Sequence, residues 1–314
     1  MLRIIDARTG EPVEAAPARR GLTRVEVHAP GSDLTNLRVL LVADLLVRAL
    51  ELGGTPVWAL LTGGRRQAEL RAAATALGIR PFEDSPDVSA GLGEAQVVHV
   101  TAEGGAMPDG VRIAVAPVET TGAAEPGPSV GGSAESAPAG GRSGEPGPLV
   151  GGAAESIPPG GRSADSGPSG GESGEPGLPV GDSVAPDPPG RRPERAGPLG
   201  GVDPAVLRLA LFTRHHSAAV RLEADVLGAA EATLARWRGA VARWARRPSR
   251  PVPDDVRGRL RDAWDDDLDV PRVLDVLRGV EKEPDLPDGA RFETYAYADR
   301  LLGLELTRDL GAPS

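Results

Sequence analysis

The stretch from Val25 to Thr62 constrains the fold of this chain more than any other part of the sequence. It begins with a short alternating apolar run and continues, after a Pro-Gly-Ser turn, with an apolar block from Leu37 to Leu52. A block of sixteen residues has the length of a helix rather than of a strand. The continuous apolar run from Val57 to Leu61 is typical of a strand that is buried on both faces. Strand, helix and strand in this order predict a parallel sheet.

The residues that flank the helix predict its ends and a site beside it. Ser32 or Asp33 is expected to cap its start, and Gly53 is expected to take the left-handed conformation after its end. Open parallel sheets bind ligands at the carboxyl ends of their strands, beside helix amino termini, so a site is predicted within residues 28–38. The candidate nucleotide-binding residues in this segment are His28, Asn36 and Arg38.

Each candidate also has a structural explanation. A histidine at the end of a strand can simply bond to the backbone, and Arg38 at the start of a buried helix can simply solvate the exposed edge of that helix. Residues 62–66, Thr-Gly-Gly-Arg-Arg, follow a strand and could form a small anion-binding nest, although most such turns bind nothing. The sequence alone leaves these alternatives open.

Shorter patterns predict further elements along the chain. Gly78 is expected to end an alanine-rich helix, and Asp203 followed by Pro204 is a good helix start. The predicted strands are 2–6, 96–100 and 111–115, and the predicted helices are 65–77, one beginning at 203, 222–245, 254–264, 270–280 and 290–302.

A low-complexity region separates the two ends of the chain. From Glu119 to Gly200 the sequence consists mainly of Gly, Pro, Ser, Ala and Glu, and Glu-Pro-Gly-Pro at 125–128 recurs at 145–148. Units with so little apolar surface cannot stack as a solenoid, so this region is predicted to be disordered. The predicted fold is therefore an α/β Rossmann-like half domain (1–118), a disordered Gly/Pro-rich linker (119–200) and an all-α helical bundle (201–310).

Composition excludes several classes of function. A net charge of −10 argues against a general binder of nucleic acids or anionic membranes. No apolar run is long enough to cross a bilayer and the first residues do not resemble a secretion signal, so a cytoplasmic protein is expected. The chain has no cysteine and only four histidines, which excludes disulfides and sulfur ligands for a metal. No zinc is expected.

A locally basic run lies near the end of the long predicted helix. Its candidate nucleic-acid-binding residues are Arg243, Arg246 and Arg247, which could contact RNA phosphates. A solvated helix face is the favoured alternative, because the only interleaved aromatic residues are tryptophans that the helical pattern assigns to the core.

Both ends of the chain resemble cysteinyl-tRNA synthetase, a class I aminoacyl-tRNA synthetase. Residues 2–4 and the 25–57 unit are similar to the family's opening strand and its first nucleotide-binding element. The strings from Asp203 to Arg208, from Leu211 to Ser217 and from Trp264 to Pro271 are similar to the family's helical domain. This resemblance implies a Rossmann-like fold, ATP as a cofactor and tRNA as a partner.

The motifs that carry the family's chemistry are missing. The family's His-x-Gly-His signature falls on residues 33–36, which read Asp-Leu-Thr-Asn here. Its second signature supplies lysines that stabilise the reacting phosphate, but Lys282 is the only lysine in this chain. His28 stands at the place of the first zinc ligand, and there is no cysteine for the remaining ones.

Two functions are compatible with these observations. The first is a cysteinyl-tRNA synthetase-like protein without aminoacylation activity, which binds a nucleotide, a tRNA or a protein partner and keeps at most residual ATP binding. Such a protein is expected to cover its half sheet, and one way is to form an oligomer. The alternative is an ATP-dependent ligase for cysteine or another amino acid with substituted active-site residues. The loss of all three motifs favours the first function.

Overall fold

The structure is a computed structural model that describes residues 1–17, 21–63, 67–84, 94–106, 108–120 and 201–311. The predicted linker, 119–200, lies outside the described residues apart from its first two positions, and so do Arg65 and Arg66 of the predicted nest. The strands are β1 (Arg3–Ile5), β2 (Pro12–Glu14), β3 (Leu22–Ala29), β4 (Val57–Gly63), β5 (Glu83–Asp84), β6 (Glu94–Ala102), β7 (Val111–Val115), β8 (Val118–Thr120) and β9 (Val220–Leu222). The helices are α1 (Leu34–Leu52), α2 (Gln67–Ala76), α3 (Pro204–Leu211), α4 (Ala224–Trp244), α5 (Asp254–Trp264), α6 (Val270–Lys282) and α7 (Asp288–Leu302).

The first part of the chain forms the predicted parallel sheet. Five strands lie in the order β5-β4-β3-β6-β7, and every neighbouring pair is parallel. From β3 the chain passes through α1 to β4 and through α2 to β5, in one direction across the sheet. Because such crossovers are right-handed, α1 and α2 lie on the same face. This arrangement confirms the Rossmann-like fold, and helices follow it in the second part of the chain.

The central helix α1 begins earlier than its apolar block suggested. Asp33 caps it, with Oδ1 accepting a hydrogen bond from the backbone N–H of Asn36 at 2.9 Å, so the helix starts at Leu34 rather than at Leu37. At the other end the prediction for Gly53 was wrong. Gly53 is right-handed at φ −79°, because its N–H continues the helical pattern to Ala49, and Gly54 takes the left-handed conformation instead.

The two ends of the chain pack against each other, as expected for a half sheet that needs cover. The described residues on both sides of the predicted linker belong to one compact unit. β8, which precedes the predicted linker, pairs in parallel with β9, which follows it. Buried apolar side chains from both ends form a single core. In the helical part, Trp237 and Trp244 each pack edge-on against the ring of Tyr295.

Two further expectations concern the surface of the protein. Among the described residues, no helix combines the length and the apolar character that crossing a membrane requires. The strands at the two edges of the five-stranded sheet are β5 and β7. Oligomerisation along such an edge stays a prediction.

Candidate functional site

Polar side chains gather on one face of the sheet, close to the carboxyl ends of its strands. Burial alternates along β3, so that Val25, Val27 and Ala29 enter the core while Glu26 and His28 point to the opposite face. The β3–β6 register places Glu26 beside His99. Ligands of open α/β sheets bind at this end of the strands.

Glu26, His28 and His99 form a compact cluster there. The Nε2 atom of His28 lies 3.1 Å from Nδ1 of His99, within hydrogen-bond distance. The same Nδ1 atom lies 3.6 Å from Oε2 of Glu26. The hydroxyl of Thr62 donates to Oε1 of Glu26 at 3.1 Å, and Nη2 of Arg24 lies 3.8 Å from Oε2. Strand pairing therefore brings together residues that are far apart in sequence.

Burial favours the neutral form of both histidines. It lowers the pKa of His28 and of His99 below the usual 6.5, although the negative charge of Glu26 acts in the opposite direction on each. A hydrogen bond between the two rings also requires one unprotonated nitrogen. At neutral pH the cluster therefore presents imidazole lone pairs beside a carboxylate, which is a set of metal ligands.

The amino terminus of α1 carries a carboxylate where the resemblance would place ATP phosphates. Both oxygens of Asp33 are engaged by Asn36, Oδ1 by the backbone N–H at 2.9 Å and Oδ2 by the side-chain amide at 2.6 Å. The Asn36 side chain is buried, and its Oδ1 atom has no hydrogen-bond partner. A triphosphate at this helix end would face the negative charge of Asp33, so these residues do not fit ATP.

A third carboxylate lies near the same helix end. The hydroxyl of Ser32, next to the Asp33 cap, donates to Oε2 of Glu69 at 3.3 Å, and Glu69 lies in the first turn of α2. Together with Glu26 and Asp33, it gives the described part of this end of the sheet a negative character. Arg65 and Arg66, which precede α2 in the sequence, are outside the described residues.

The side chain of Arg38 lies between the residue that follows β7 and the helical part of the chain. Its side chain is only 1% exposed, and its guanidinium donates to backbone carbonyl oxygens of both ends of the chain. The acceptors are Ala116, Ala218 and His215, each at 2.8 Å, and Arg214 at 3.3 Å. The nucleotide-binding roles of His28, Asn36 and Arg38 stay predictions, but these contacts give Arg38 a structural role.

A second cluster with metal-ligating side chains lies in the helical part. The Nε2 atoms of His215 and His216 lie 2.9 and 3.0 Å from the backbone oxygen of Asp267. Asp267 has φ +53°, and its carboxylate accepts the backbone N–H of Ile5 at 2.8 Å. These bonds tie the loop between α5 and α6 to β1 and to the segment after α3, which gives the cluster a structural role.

The basic run is exposed at the end of α4. Arg243, Arg246 and Arg247 are all exposed, and Nε of Arg247 lies 3.9 Å from an oxygen of Asp288. Arg238, one turn earlier, is instead buried and donates to the backbone oxygen of Leu304 at 2.9 Å. Nucleic-acid binding by the three exposed arginines stays a prediction.

Fold and site together define a Rossmann-like α/β protein with polar side chains at the carboxyl ends of its strands, to which a helical part is attached. The sequence matches no protein-family model. Parts of it are similar to curated proteins named L-cysteine:1D-myo-inositol 2-amino-2-deoxy-alpha-D-glucopyranoside ligase. The one from Segniliparus rotundus is 39% identical over 110 residues, which are 34% of this chain and 25% of the relative. The one from Saccharopolyspora erythraea is 45% identical over 109 residues, 33% of this chain and 26% of the relative.

These relatives refine the predicted resemblance. A third ligase of the same name, from Mycolicibacterium smegmatis, is 43% identical over 78 residues, 25% of this chain and 18% of the relative. The chain spans about a quarter of the length of the curated relatives it matches. Parts of the chain are therefore related to proteins named as ligases of L-cysteine, which agrees with the resemblance to a family that acts on cysteine.

Glu26 and His99 were missed in the sequence. His28 could be found because it lies near the carboxyl end of the organising strand. Its partners depend on which strand lies beside β3 and in which register. The sequence offered one signal for His99, namely a polar residue among the apolar residues of a predicted strand.

Proposed function

We propose that this chain is a relative of cysteine ligases that binds an amine-bearing small molecule at the carboxyl end of its sheet and does not adenylate it. The observation that carries the proposal is the Asp33 carboxylate at the amino terminus of α1. This carboxylate repels the phosphates that adenylation requires and attracts a protonated amine. The ligases to which parts of the chain are similar are named for two amine-bearing compounds, L-cysteine and an amino sugar.

Replacing Asp33 by asparagine tests the proposal, because asparagine caps helices about as well as aspartate but carries no charge. We expect Asp33→Asn to weaken binding of L-cysteine about tenfold and to strengthen binding of ATP by a similar factor, measured by calorimetric titration. N-acetyl-L-cysteine, which lacks the amine charge, should lose no affinity in the variant.

Asp269→Asn is the matched control, since Asp269 caps α6 in the same manner, by accepting the backbone N–H of Arg272 at 3.0 Å. It should change neither affinity. Equal affinities of wild type and Asp33→Asn for both ligands would refute the role of Asp33.

The second candidate function is an ATP-dependent amino-acid ligase, which is favoured by the names of the relatives. Cysteine-dependent exchange of pyrophosphate into ATP by the purified chain would establish this function and overturn the first. We expect no exchange, because the only lysine, Lys282, lies at the end of α6 in the helical part.

We also propose that a tRNA partner, if the chain binds one, contacts the exposed arginines at the end of α4. Reversing the charges of Arg243, Arg246 and Arg247 to glutamate is then expected to weaken tRNA binding and to flatten its dependence on salt. The slope of log K against log salt should fall by about 0.9 for each lost phosphate contact. Reversing Arg259, Arg272 and Arg278, which are exposed on other helices, is the control and should have a smaller effect. Equal effects of the two triple variants would remove the α4 run from the proposal.

A further inference from the structure

We propose that Glu26, His28 and His99 bind a divalent transition-metal ion of the zinc class, through two imidazole nitrogens and one carboxylate oxygen. Nothing in the names of the relatives assigns an ion to these residues. The proposal does not depend on which small molecule the chain binds.

The spacing of the ligand atoms suits such an ion. Zinc binds imidazole nitrogen at about 2.0–2.1 Å in a tetrahedral site, so two of its ligand atoms are about 3.3 Å apart. Here Nδ1 of His99 lies 3.1 Å from Nε2 of His28 and 3.6 Å from Oε2 of Glu26. All three ligand atoms lie within 4.8 Å of one another. An ion that replaces the proton between the two rings therefore requires only small side-chain movements.

The backbone and the neighbouring side chains hold this geometry. All three ligands are on paired parallel strands, whose register fixes the spacing of their Cα atoms. Thr62 lies on β4, the other neighbour of β3, and its hydroxyl donates to Oε1 of Glu26. This bond orients the carboxylate so that Oε2 is the oxygen nearer to His99. Gly110 lies beside the Nε2 edge of the His99 ring, where an added Cβ would come within 3.4 Å, so glycine leaves the ring room in this position. Such supporting contacts orient metal ligands in proteins.

The ligand set differs from the one that the family resemblance implies. A zinc site built on thiolates does not fit a chain without cysteine. Two imidazoles and one carboxylate are instead three protein ligands, which leave a fourth position of a tetrahedral ion open. The site lies on the half-buried face of the sheet, at the end where ligands enter.

The cluster of His215, His216 and Asp267 also groups three ligands, but its geometry is already explained. Both Nε2 atoms bond to the same backbone oxygen of Asp267. An ion at these nitrogens would have to break the bonds that fix the loop between α5 and α6. We therefore assign the ion to the cluster on the sheet.

Titration of the full chain with Co²⁺ tests the assignment, since Co²⁺ replaces zinc and absorbs visible light when four-coordinate. We expect a single equivalent to bind at micromolar concentration, with Zn²⁺ displacing it in calorimetric titration. His28→Ala and Glu26→Gln should each weaken binding by about tenfold or more. Both positions are only half-buried, and circular dichroism with thermal melting verifies that each variant is folded.

Two matched variants should leave the affinity unchanged. Glu83→Gln makes the same chemical change as Glu26→Gln on the same sheet, at a residue that bonds to Trp58. His215→Asn removes a histidine from the other cluster. The assignment is overturned if wild type binds no Co²⁺, if His28→Ala and Glu26→Gln bind it as wild type does, or if only His215→Asn abolishes binding.

Discussion

Replacing Asp44 by asparagine is expected to lower the free energy of unfolding by about 3–5 kcal/mol. The Asp44 carboxylate is fully buried and lies 2.8 Å from Nη2 of Arg208, whose side chain is also fully buried. Its oxygens accept further hydrogen bonds from Arg48 at 2.9 Å and from Arg80 at 3.1 Å. Because asparagine keeps the shape of aspartate but not its charge, the buried guanidinium of Arg208 would lose the counter-charge that it bonds to directly. Chemical denaturation followed by circular dichroism measures the loss.

A surface ion pair provides the matched control for this variant. Asp275 pairs with Arg278 on α6, where both side chains are largely exposed, and such pairs contribute little. Asp275→Asn should change the free energy of unfolding by less than about 0.5 kcal/mol. A loss for Asp44→Asn no larger than that of this control would mean that the buried pair does not hold α1 against α3.

The free energy of unfolding at acid pH gives a second measure of the Asp44–Arg208 pair. Burial alone would raise the pKa of Asp44, but Arg208 and Arg48 outweigh it and hold this pKa below the usual 3.8. The stabilisation is therefore complete above pH 3.8 and is lost as the pH falls through the lower folded pKa. Asp44→Asn should remove this part of the acid sensitivity. Burial raises the pKa of Asp299, so the acid limbs of variant and wild type must be compared directly.

Local sequence signals were sufficient for elements that are set by neighbouring residues. The strand at Val111–Val115 and the helix at Asp254–Trp264 were predicted with their observed bounds, since alternation or helical periodicity ends sharply at turn residues. The cap was predicted at Ser32 or Asp33 and lies at Asp33. The left-handed residue was placed one position early, because two successive glycines leave the choice to the path of the chain after the helix.

Contacts between distant parts of the chain were beyond these signals. Arg38 was predicted to lie beside a nucleotide, yet its partners lie 78 and 180 residues further along the chain, at Ala116 and Ala218. The Glu26–His99 pair likewise depends on the strand order β4-β3-β6. The position of a residue in a predicted strand indicates which end of the sheet its side chain can reach. Which residue it contacts there depends on how distant segments pack in the complete fold.

Replacing Arg38 by methionine is expected to lower the free energy of unfolding by about 2–4 kcal/mol. Methionine fills much of the same space, but the four backbone carbonyls that the guanidinium binds would lose their donor. Burial lowers the pKa of Arg38 to about 10, which leaves the side chain charged at neutral pH. Arg38→Lys should recover only part of the loss, because one ammonium cannot reach acceptors spread over two segments. Denaturation curves of the two variants measure both effects.

Hydrogen exchange distinguishes a clamp between the two ends of the chain from a ligand contact. The backbone N–H of Ala116 donates to the carbonyl oxygen of His216 at 2.8 Å, and that of Val220 donates to Pro117 at 3.1 Å, so both bonds connect the two ends of the chain. If Arg38 holds these ends together, Arg38→Met should speed hydrogen exchange at both amides. Arg259→Met, at an exposed arginine of α5, should leave both amides protected. Unchanged stability and exchange in Arg38→Met, together with lost ligand binding, would instead place Arg38 in the ligand site that the sequence predicted. The expected result leaves ligand recognition to the residues around Asp33 and His28, where the carboxyl ends of the strands meet the amino terminus of α1.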